Sequence, residues 1–315
     1  MALSTDACVD VVIPTHNASA LVNECVVHLT DASVASRIVV DDVSAEDIAG
    51  LFKDATGVHV LRVRHQRGLA HALNVGANHG SAPYILFLNN DIFAEPGAVD
   101  RLLHTFEAHP AAASAAGRLV EPATGATQAS YQPRTIPGPL AVAARLLGLE
   151  RAWSRNPITG QHLRSPLPED RPVVTRRQPA GACLLVRRPD HERIGGWDER
   201  YWIWYEDVDY SRRLLDLGDA VYEPRAVFRH VGGASTGHWG KPEQHRRLYH
   251  GSLQYGAAHF GRTGQIFLGV TAVVVALPRI AAYRSRRADD AEVYRMVMRA
   301  GLGLITGAGV PSMMT

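Results

Sequence analysis

Three apolar stretches in the first 91 residues end in the same kind of polar cluster: Pro14-Thr15-His16-Asn17, Asp41-Asp42 and Asn89-Asn90-Asp91. One such ending is an ordinary turn, since Asn and Asp close turns and cap helices. Three at successive strand ends predict polar groups converging on one crevice, because parallel strands share a C-terminal edge where ligands bind. Asp91 supplies a hard carboxylate oxygen of the kind that Mg2+ or Mn2+ takes, and such an ion can bridge to a diphosphate. His230 closes a late apolar stretch before Gly232-Gly233 and could add a nitrogen ligand, a satisfied structural histidine being the alternative. A second constellation spans 197–210, where Trp197, Tyr201, Trp202, Trp204 and Tyr205 sit among Asp198, Glu199, Glu206, Asp207 and Asp209. Aromatic faces beside carboxylates suit sugars, and a carboxylate there can accept the proton of an attacking hydroxyl. The alternative is an aromatic core wedge edged by acids.

The elements that must position these residues follow from periodicity. CVDVVIPTH predicts a strand reaching Pro14, and 37–42, 58–63 and ILFLNND predict three more. Between them Leu21, Cys25 and Leu29 share one helix face, as do Leu69, Leu73 and Ala77. Pro96 marks a first helical turn before the stripe Val99, Leu102, Leu103, Phe106. This rhythm predicts an α/β fold with a mostly parallel sheet covered by helices on both faces. Past Gly117 the rhythm breaks, and 118–179 reads as an insertion forming a lid or the acceptor side. Order returns with a strand at ACLLVRR, a helix over 205–215 with Glu206 and Asp207 in its first turn, and a strand ending at His230. Asp209 faces Arg212 and Arg213 at helical spacing, a structural pair. The expected organisation is one domain over 1–262 (donor half about 8–117, acceptor and catalytic half 180–262) and a C-terminal helical segment, 263–315.

Composition narrows the classes. The 315 residues carry 33 basic and 31 acidic side chains, a formal charge of +2, so no polycationic footprint for nucleic acid exists. No GxGxxG follows the first strand and no GxxxxGK[ST] occurs, which argues against a dinucleotide oxidoreductase and a P-loop NTPase. Cys8, Cys25 and Cys183 form no CxxC or disulfide framework, and MALSTDACVD shows neither the basic n-region nor the apolar h-region expected of a secretion signal. Together these predict a cytoplasmic protein. The apolar run Ile266 to Leu277 is short of the roughly 20 residues that span a bilayer and is expected to stop at Pro278. Arginines 279, 284, 286 and 287 follow it. That leaves three partners for the segment: the inner face of an anionic membrane, a second copy of the chain, or the domain itself.

On these residues the chain resembles the family 2 glycosyltransferases of the GT-A, nucleotide-diphospho-sugar transferase-like fold, and within them the bacterial rhamnosyltransferase group. The resemblance runs through VVIPTHN, then Val40-Asp41-Asp42-Val43-Ser44-Ala45-Glu46, then Gly68 through Asn74 to Gly76, then Asn89-Asn90-Asp91. Its most specific part is the block Gly181 to Arg188, Gly195-Gly196-Trp197-Asp198-Glu199, Glu206-Asp207-Val208-Asp209 and His230. It covers about residues 9 to 261 and implies an inverting enzyme moving a sugar, rhamnose from dTDP-rhamnose first, to a hydroxyl of a glycan, a lipid-linked sugar or a small molecule. It further implies that Thr15, Asn17 and Asp41 contact the nucleotide, with Pro14, Gly68, Asn74, Asn89 and Asn90 in the donor-binding motifs. Asp91 would bind Mg2+ or Mn2+ with His230 as second ligand. Asp207 would be the base, Glu206 its nearest rival, and Asp198 would line the acceptor side. Asn89 stands where the family often has a first carboxylate, and His71 where a small residue is common. The readings kept beside this one are a non-catalytic carbohydrate-binding protein on a degenerate transferase fold, the same enzyme with another donor sugar, and a nucleotidyltransferase.

Overall fold

The computed structural model describes residues 7–153, 156, 158–159, 167–233, 237, 239–283 and 287–312. In chain order the elements are β1 (Val9–Thr15), α1 (Ser19–Val27), β2 (Val34–Asp41), α2 (Ile48–Leu51), β3 (Val58–Arg62), α3 (Leu69–His79), β4 (Tyr84–Leu88), β5 (Ile92–Ala94), α4 (Ala98–Ala108) and β6 (Ala112–Val120). After a short 3-10 turn come α5 (Pro139–Leu147), α6 (Leu149–Ala152), β7 (Val173–Thr175), β8 (Cys183–Arg187), α7 (Arg188–Arg193), α8 (Glu206–Leu214) and β9 (Asp219–His230). Three long helices follow: α9 (Lys241–His259), α10 (Arg262–Tyr283) and α11 (Ala288–Thr306). The chain divides into two compact units, one of 1–134, 166–199 and 210–235, the other of 135–165, 200–209 and 236–315.

The first unit holds the sheet, in order β3-β2-β1-β4-β8-β6-β9-β5, with β7 also on β9. β3, β2, β1 and β4 run parallel, as do β6 and β9, while β8 is antiparallel to both of its neighbours. Most strands therefore point one way, as their largely apolar runs predict: Val9, Val11, Val12 and Ile13 are all fully buried, which requires cover on both sheet faces. One cover packs at Gly76 of α3, where a Cβ would come within 2.4 Å of Val12. The sequence boundaries shift slightly. α4 begins at Ala98 behind a left-handed Gly97, so Pro96 precedes the helix rather than opening it. α1 ends at Val27 and buries Val22, Cys25 and Val26, so Leu29 joins the core from the following loop.

The second unit is helical. Its core gathers Val142, Tyr201, Tyr205, Leu253, Tyr255, Leu268 and Val297. α10 runs through Pro278 to Tyr283, beyond the stop expected at that proline. The missing N–H costs one helical bond. The flanking turns offset it by packing: Val275 and Ala276 are buried, and Ile280 and Tyr283 lean on the same core. Of the arginines after it, Arg284 and Arg286 lie outside the described residues.

Candidate active site

In the first unit, the ends of β1 and β4 are tied directly: Asn90 Nδ2 donates to Thr15 Oγ1 at 2.9 Å, with both residues buried. Asn89-Asn90-Asp91 is a tight turn, closed by Ile92 N donating to Asn89 O at 3.2 Å. The turn swings the chain from β4 into β5, which pairs antiparallel with the end of β9 and sets Ile92 opposite His230. Val231 N donates to Asp91 O at 3.0 Å and pins that register. The register shifts between Gly117 and Arg118 of β6, which pair with Glu223 and Val227, so Pro224, Arg225 and Ala226 of β9 bulge out of the ladder. Gly117 is required there, because a Cβ would lie 2.6 Å from Ala226 O. Strand pairing across 139 positions of sequence thus brings Asp91 beside His230.

Both side chains are buried, with His230 Nε2 3.6 Å from Asp91 Oδ1. That separation is too long for a hydrogen bond. The tautomer follows from the neighbour: Gln128 Nε2 donates to His230 O at 2.8 Å, which turns Gln128 Oε1 to accept from His230 Nδ1 at 2.7 Å. With the proton on Nδ1, Nε2 keeps its lone pair and points it at the carboxylate. Burial lowers the His230 pKa, which Asp91 and Glu121 pull back upward, so the neutral ring is favoured. Tyr131 stands edge-on to the imidazole, ring centroids 4.4 Å apart. Two bases facing each other in a buried setting, one oriented by an amide behind it, fit a divalent ion. Among the described residues no cluster of three or more His, Cys, Asp or Glu exists, so further ligands would be water or ligand oxygens.

The β1 and β2 ends interlock. Asn17 N donates to Ser44 Oγ and Asn17 Oδ1 accepts from Ala45 N at 2.7 Å, with Asn17 and Val43 both at positive φ. Asp41 accepts from Ser44 N at 2.8 Å and pairs with Arg62 at 2.6 Å, so both its oxygens are held by the protein. Asp42 differs: its Oδ1 is buried without a hydrogen-bond partner. Burial pushes its carboxyl up to about 6, His16 and His71 oppose the rise, and Asp41 adds to it. Gln66 and His16 both reach the Asp42 carbonyl, at 3.1 and 2.8 Å.

Gly68 caps α3 at φ 95°, a conformation that favours glycine. Asn74 holds the Trp197 backbone at both ends, donating to its carbonyl at 2.8 Å and accepting from its N–H at 2.9 Å. Glu199 gathers Arg67, His71 and Asn74 within 3.1 Å. Sequence reasoning named Asp42 and Glu199 only as members of polar clusters, with no role of their own, and passed over Gln128. Asp42 stood beside the named Asp41, and the three-residue spacing of His71 and Asn74 on α3 is the signal that could have pointed to a shared partner.

The aromatic segment divides. Trp197 is buried in the first unit, stacked 3.9 Å from Tyr210 and edge-on to Phe87, and Tyr201 and Tyr205 are buried in the core of the second. These three are core wedges rather than sugar platforms, which corrects the expectation for the cluster as a whole. Trp202 and Trp204 remain half-exposed, with Trp204 edge-on to Trp239 and Arg247 over the faces of Trp202 and Trp239. Trp204 and Tyr205 are consecutive residues at φ 64° and 69°, immediately before the first turn of α8. Such strain in bulky residues collects at functional sites. Beyond it Glu206 is buried and Asp207 half-buried, and Asp209 accepts from His259 at 2.6 Å. Asp198 lies half-buried next to Trp197.

A sheet of this order, with polar turns at the ends of β1, β2 and β4, is the GT-A fold of glycosyltransferases. Residues 10–152 match the family model described as Glycosyl transferase family 2. The chain is 35% identical over 173 residues to N-acetylglucosaminyl-diphospho-decaprenol L-rhamnosyltransferase of Mycobacterium tuberculosis, covering 54% of this chain and 53% of that one. It is 29% identical over 229 residues to the Pre-mycofactocin glycosyltransferase of the same organism, covering 70% of this chain and 42% of that one. The chain thus spans about half the length of these relatives. Among solved structures, GalNAc-T7 with UDP, GalNAc and Mn2+ superposes with a TM-score of 0.58 at 14% identity, over 97% of this chain and 58% of that one, a likeness of fold.

Proposed function

We propose that the chain is an inverting glycosyltransferase that moves a sugar from a nucleotide diphosphate to an acceptor hydroxyl. The observation that carries this reading is the Asp91–His230 pair, a carboxylate and an imidazole lone pair 3.6 Å apart at the turn where β4 ends. A divalent ion held by them would offset negative charge on the leaving diphosphate. Asp91 and His230 would hold it, Gln128 orients the imidazole, and Thr15 and Asn90 brace the turn. Asp42 is the carboxylate left to accept an N–H of the nucleobase, because Asp41 is held by Ser44 and Arg62. Asp207 takes the proton from the acceptor hydroxyl. The mycobacterial relative named as an L-rhamnosyltransferase of a diphospho-decaprenol supports dTDP-rhamnose as first donor and a lipid-linked glycan as first acceptor.

The test is a nucleotide-release screen of the purified protein across nucleotide sugars, with and without Mn2+ or Mg2+ and with a polyprenyl-diphosphate sugar as acceptor. Release of dTDP from dTDP-rhamnose that requires both acceptor and metal is the expected result. Release from another donor would change the sugar and keep the class. Silence with every donor, from a folded protein, would sink the enzymatic reading.

A further inference from the structure

α10 exposes more large apolar side chains than any other element among the described residues: Ile266, Phe267, Val270, Val274 and Leu277. Their spacing of three and four draws Phe267, Val270, Val274 and Leu277 into one line along the helix. Val274 is 61% exposed and Leu277 55%, values that core residues do not show. α5 runs beside α10 in the same direction, since Pro139 approaches Gly264 and the carbonyl of Leu147 accepts from Arg279 at 3.2 Å. It leaves Leu140 and Leu147 exposed as well, and α11 leaves Leu302. Soluble monomers rarely keep such a face in water without a use for it.

Charge selects the occupant. Residues 263–278 hold no charged residue, and residues 262–287 hold five arginines and no Asp or Glu. An apolar stripe whose nearest charged neighbours in the chain, Arg262 and Arg279, are both cations matches an anionic phospholipid surface, where the stripe enters the headgroup boundary and cations meet phosphate. A helix seam between two copies commonly draws its partner choice from charged flanks, and none lies along these sixteen residues. Crossing the bilayer is a different matter. α10 has the length and mean hydropathy for it. However, Leu268, Ala272, Val275 and Ala276 of its other face are buried in the unit's own core. At Gly269 a Cβ would lie 2.6 Å from the Gly301 carbonyl, so α11 is packed backbone to backbone against it. Insertion would take α11 along, with Asp289, Asp290, Glu292, Arg295 and Arg299.

We propose that the exposed line Phe267-Val270-Val274-Leu277 lies in the plane of an anionic membrane surface and docks the protein there peripherally. This holds whatever sugar the protein transfers, because docking needs neither donor nor acceptor. The experiment is flotation of the whole protein with phosphatidylcholine vesicles containing about one third phosphatidylglycerol, against vesicles of phosphatidylcholine alone. Binding to the first, weak binding to the second and release by high salt are expected. The double variant Phe267→Ser/Val274→Ser should bind about 100-fold more weakly, since each exposed apolar side chain contributes roughly a tenfold partition. Its thermal unfolding should match the parent, because neither side chain fills the core. No flotation, equal flotation of parent and variant, or retention through alkaline carbonate as for a spanning helix would each overturn the proposal. So would a parent dimer that the variant dissociates without change in flotation.

Discussion

His230 Nε2 and Asp91 Oδ1 face each other over 3.6 Å with no proton between them, because Gln128 holds the only ring hydrogen on Nδ1. Two electron-rich atoms so placed repel one another unless a cation joins them. Asp91→Asn should therefore remove metal-dependent donor binding while the fold persists. Gln128→Leu tests the same arrangement from behind: loss of the orienting acceptor should weaken Mn2+ affinity about 10–100-fold. Titration of Mn2+ by electron paramagnetic resonance checks both, and unchanged affinity in Asp91→Asn would remove the metal assignment.

Donor affinity should depend on Asp42. Its carboxyl is pushed up to about 6 by burial, so the ionised form is penalised and protonation begins at mildly acidic pH. If the ionised carboxylate accepts a nucleobase N–H, donor binding is full above the shifted value and falls as pH drops through about 6. Calorimetric titration of dTDP from pH 5 to 8 should show this fall in the parent. Asp42→Asn should bind more weakly at pH 8 and lack the inflection near 6.

The stability of the first unit should carry a histidine signature. His191, buried against Phe87 and bonded through Nδ1 to the Tyr210 hydroxyl at 2.7 Å, has its pKa lowered to about 4 by burial, with Arg188 and Arg213 acting in the same direction. Below the unfolded value of 6.5 the unfolded chain binds a proton that the folded one refuses, so stability falls as pH drops from 6.5 towards 4. The full loss is on the order of 3 kcal/mol. Asp42 acts oppositely over part of this range, so the clean measurement is a difference: His191→Gln should lose less stability to denaturant than the parent between pH 6.5 and 4.5.

The sequence carried the parallel half of the sheet openly, because a strand buried on both faces reads as a near-continuous apolar run, as Val11 to Ile13 and Tyr84 to Leu88 do. Asp91 was legible for the same reason, as the polar residue at such a run's end. His230 was named as its partner from its place at the end of a late apolar run, but the route that brings the two together was not legible. His230 reaches it through the loop-out of Pro224, Arg225 and Ala226, a register shift that periodicity does not encode. Gln128 stood in a stretch without helical or strand rhythm, so its link to His230 had no local signal. The aromatic segment misled because burial is decided by what packs around it: Trp197 and Tyr201, four residues apart, sit in two different cores.

The base should be Asp207. Glu206 is buried, whereas Asp207 is half-buried on the same first turn of α8 and so remains open to water. Asp207→Asn keeps the shape and removes the proton acceptor, so turnover should fall about 10²–10⁴-fold with donor affinity little changed. Steady-state rates for Asp207→Asn beside Glu206→Gln check it. A collapse confined to Glu206→Gln would move the role one residue back.

Gly251 on α9 should prove as important to turnover as a residue in the site, although it carries no side chain. A Cβ there would lie 2.6 Å from the Trp204 carbonyl and 3.4 Å from Tyr205 Cβ. Those two residues hold left-handed backbone just ahead of Glu206 and Asp207, so the chain has little freedom to yield. Gly251→Ala must either push α9 outward or shift Trp204 and the first turn of α8. Overpacking of this kind costs about 1–3 kcal/mol, and a displacement near 1 Å at a catalytic group can cost about 10²-fold in rate. Gly256→Ala is the control on the same helix. Its Cβ would meet the end of the Leu268 side chain at 2.3 Å, a flexible neighbour far in sequence from α8. Both variants should unfold at lower temperature, but only Gly251→Ala should lose turnover at saturating substrate. If both retain turnover, the backbone ahead of Asp207 is not held by α9 and the base is positioned by α8 alone.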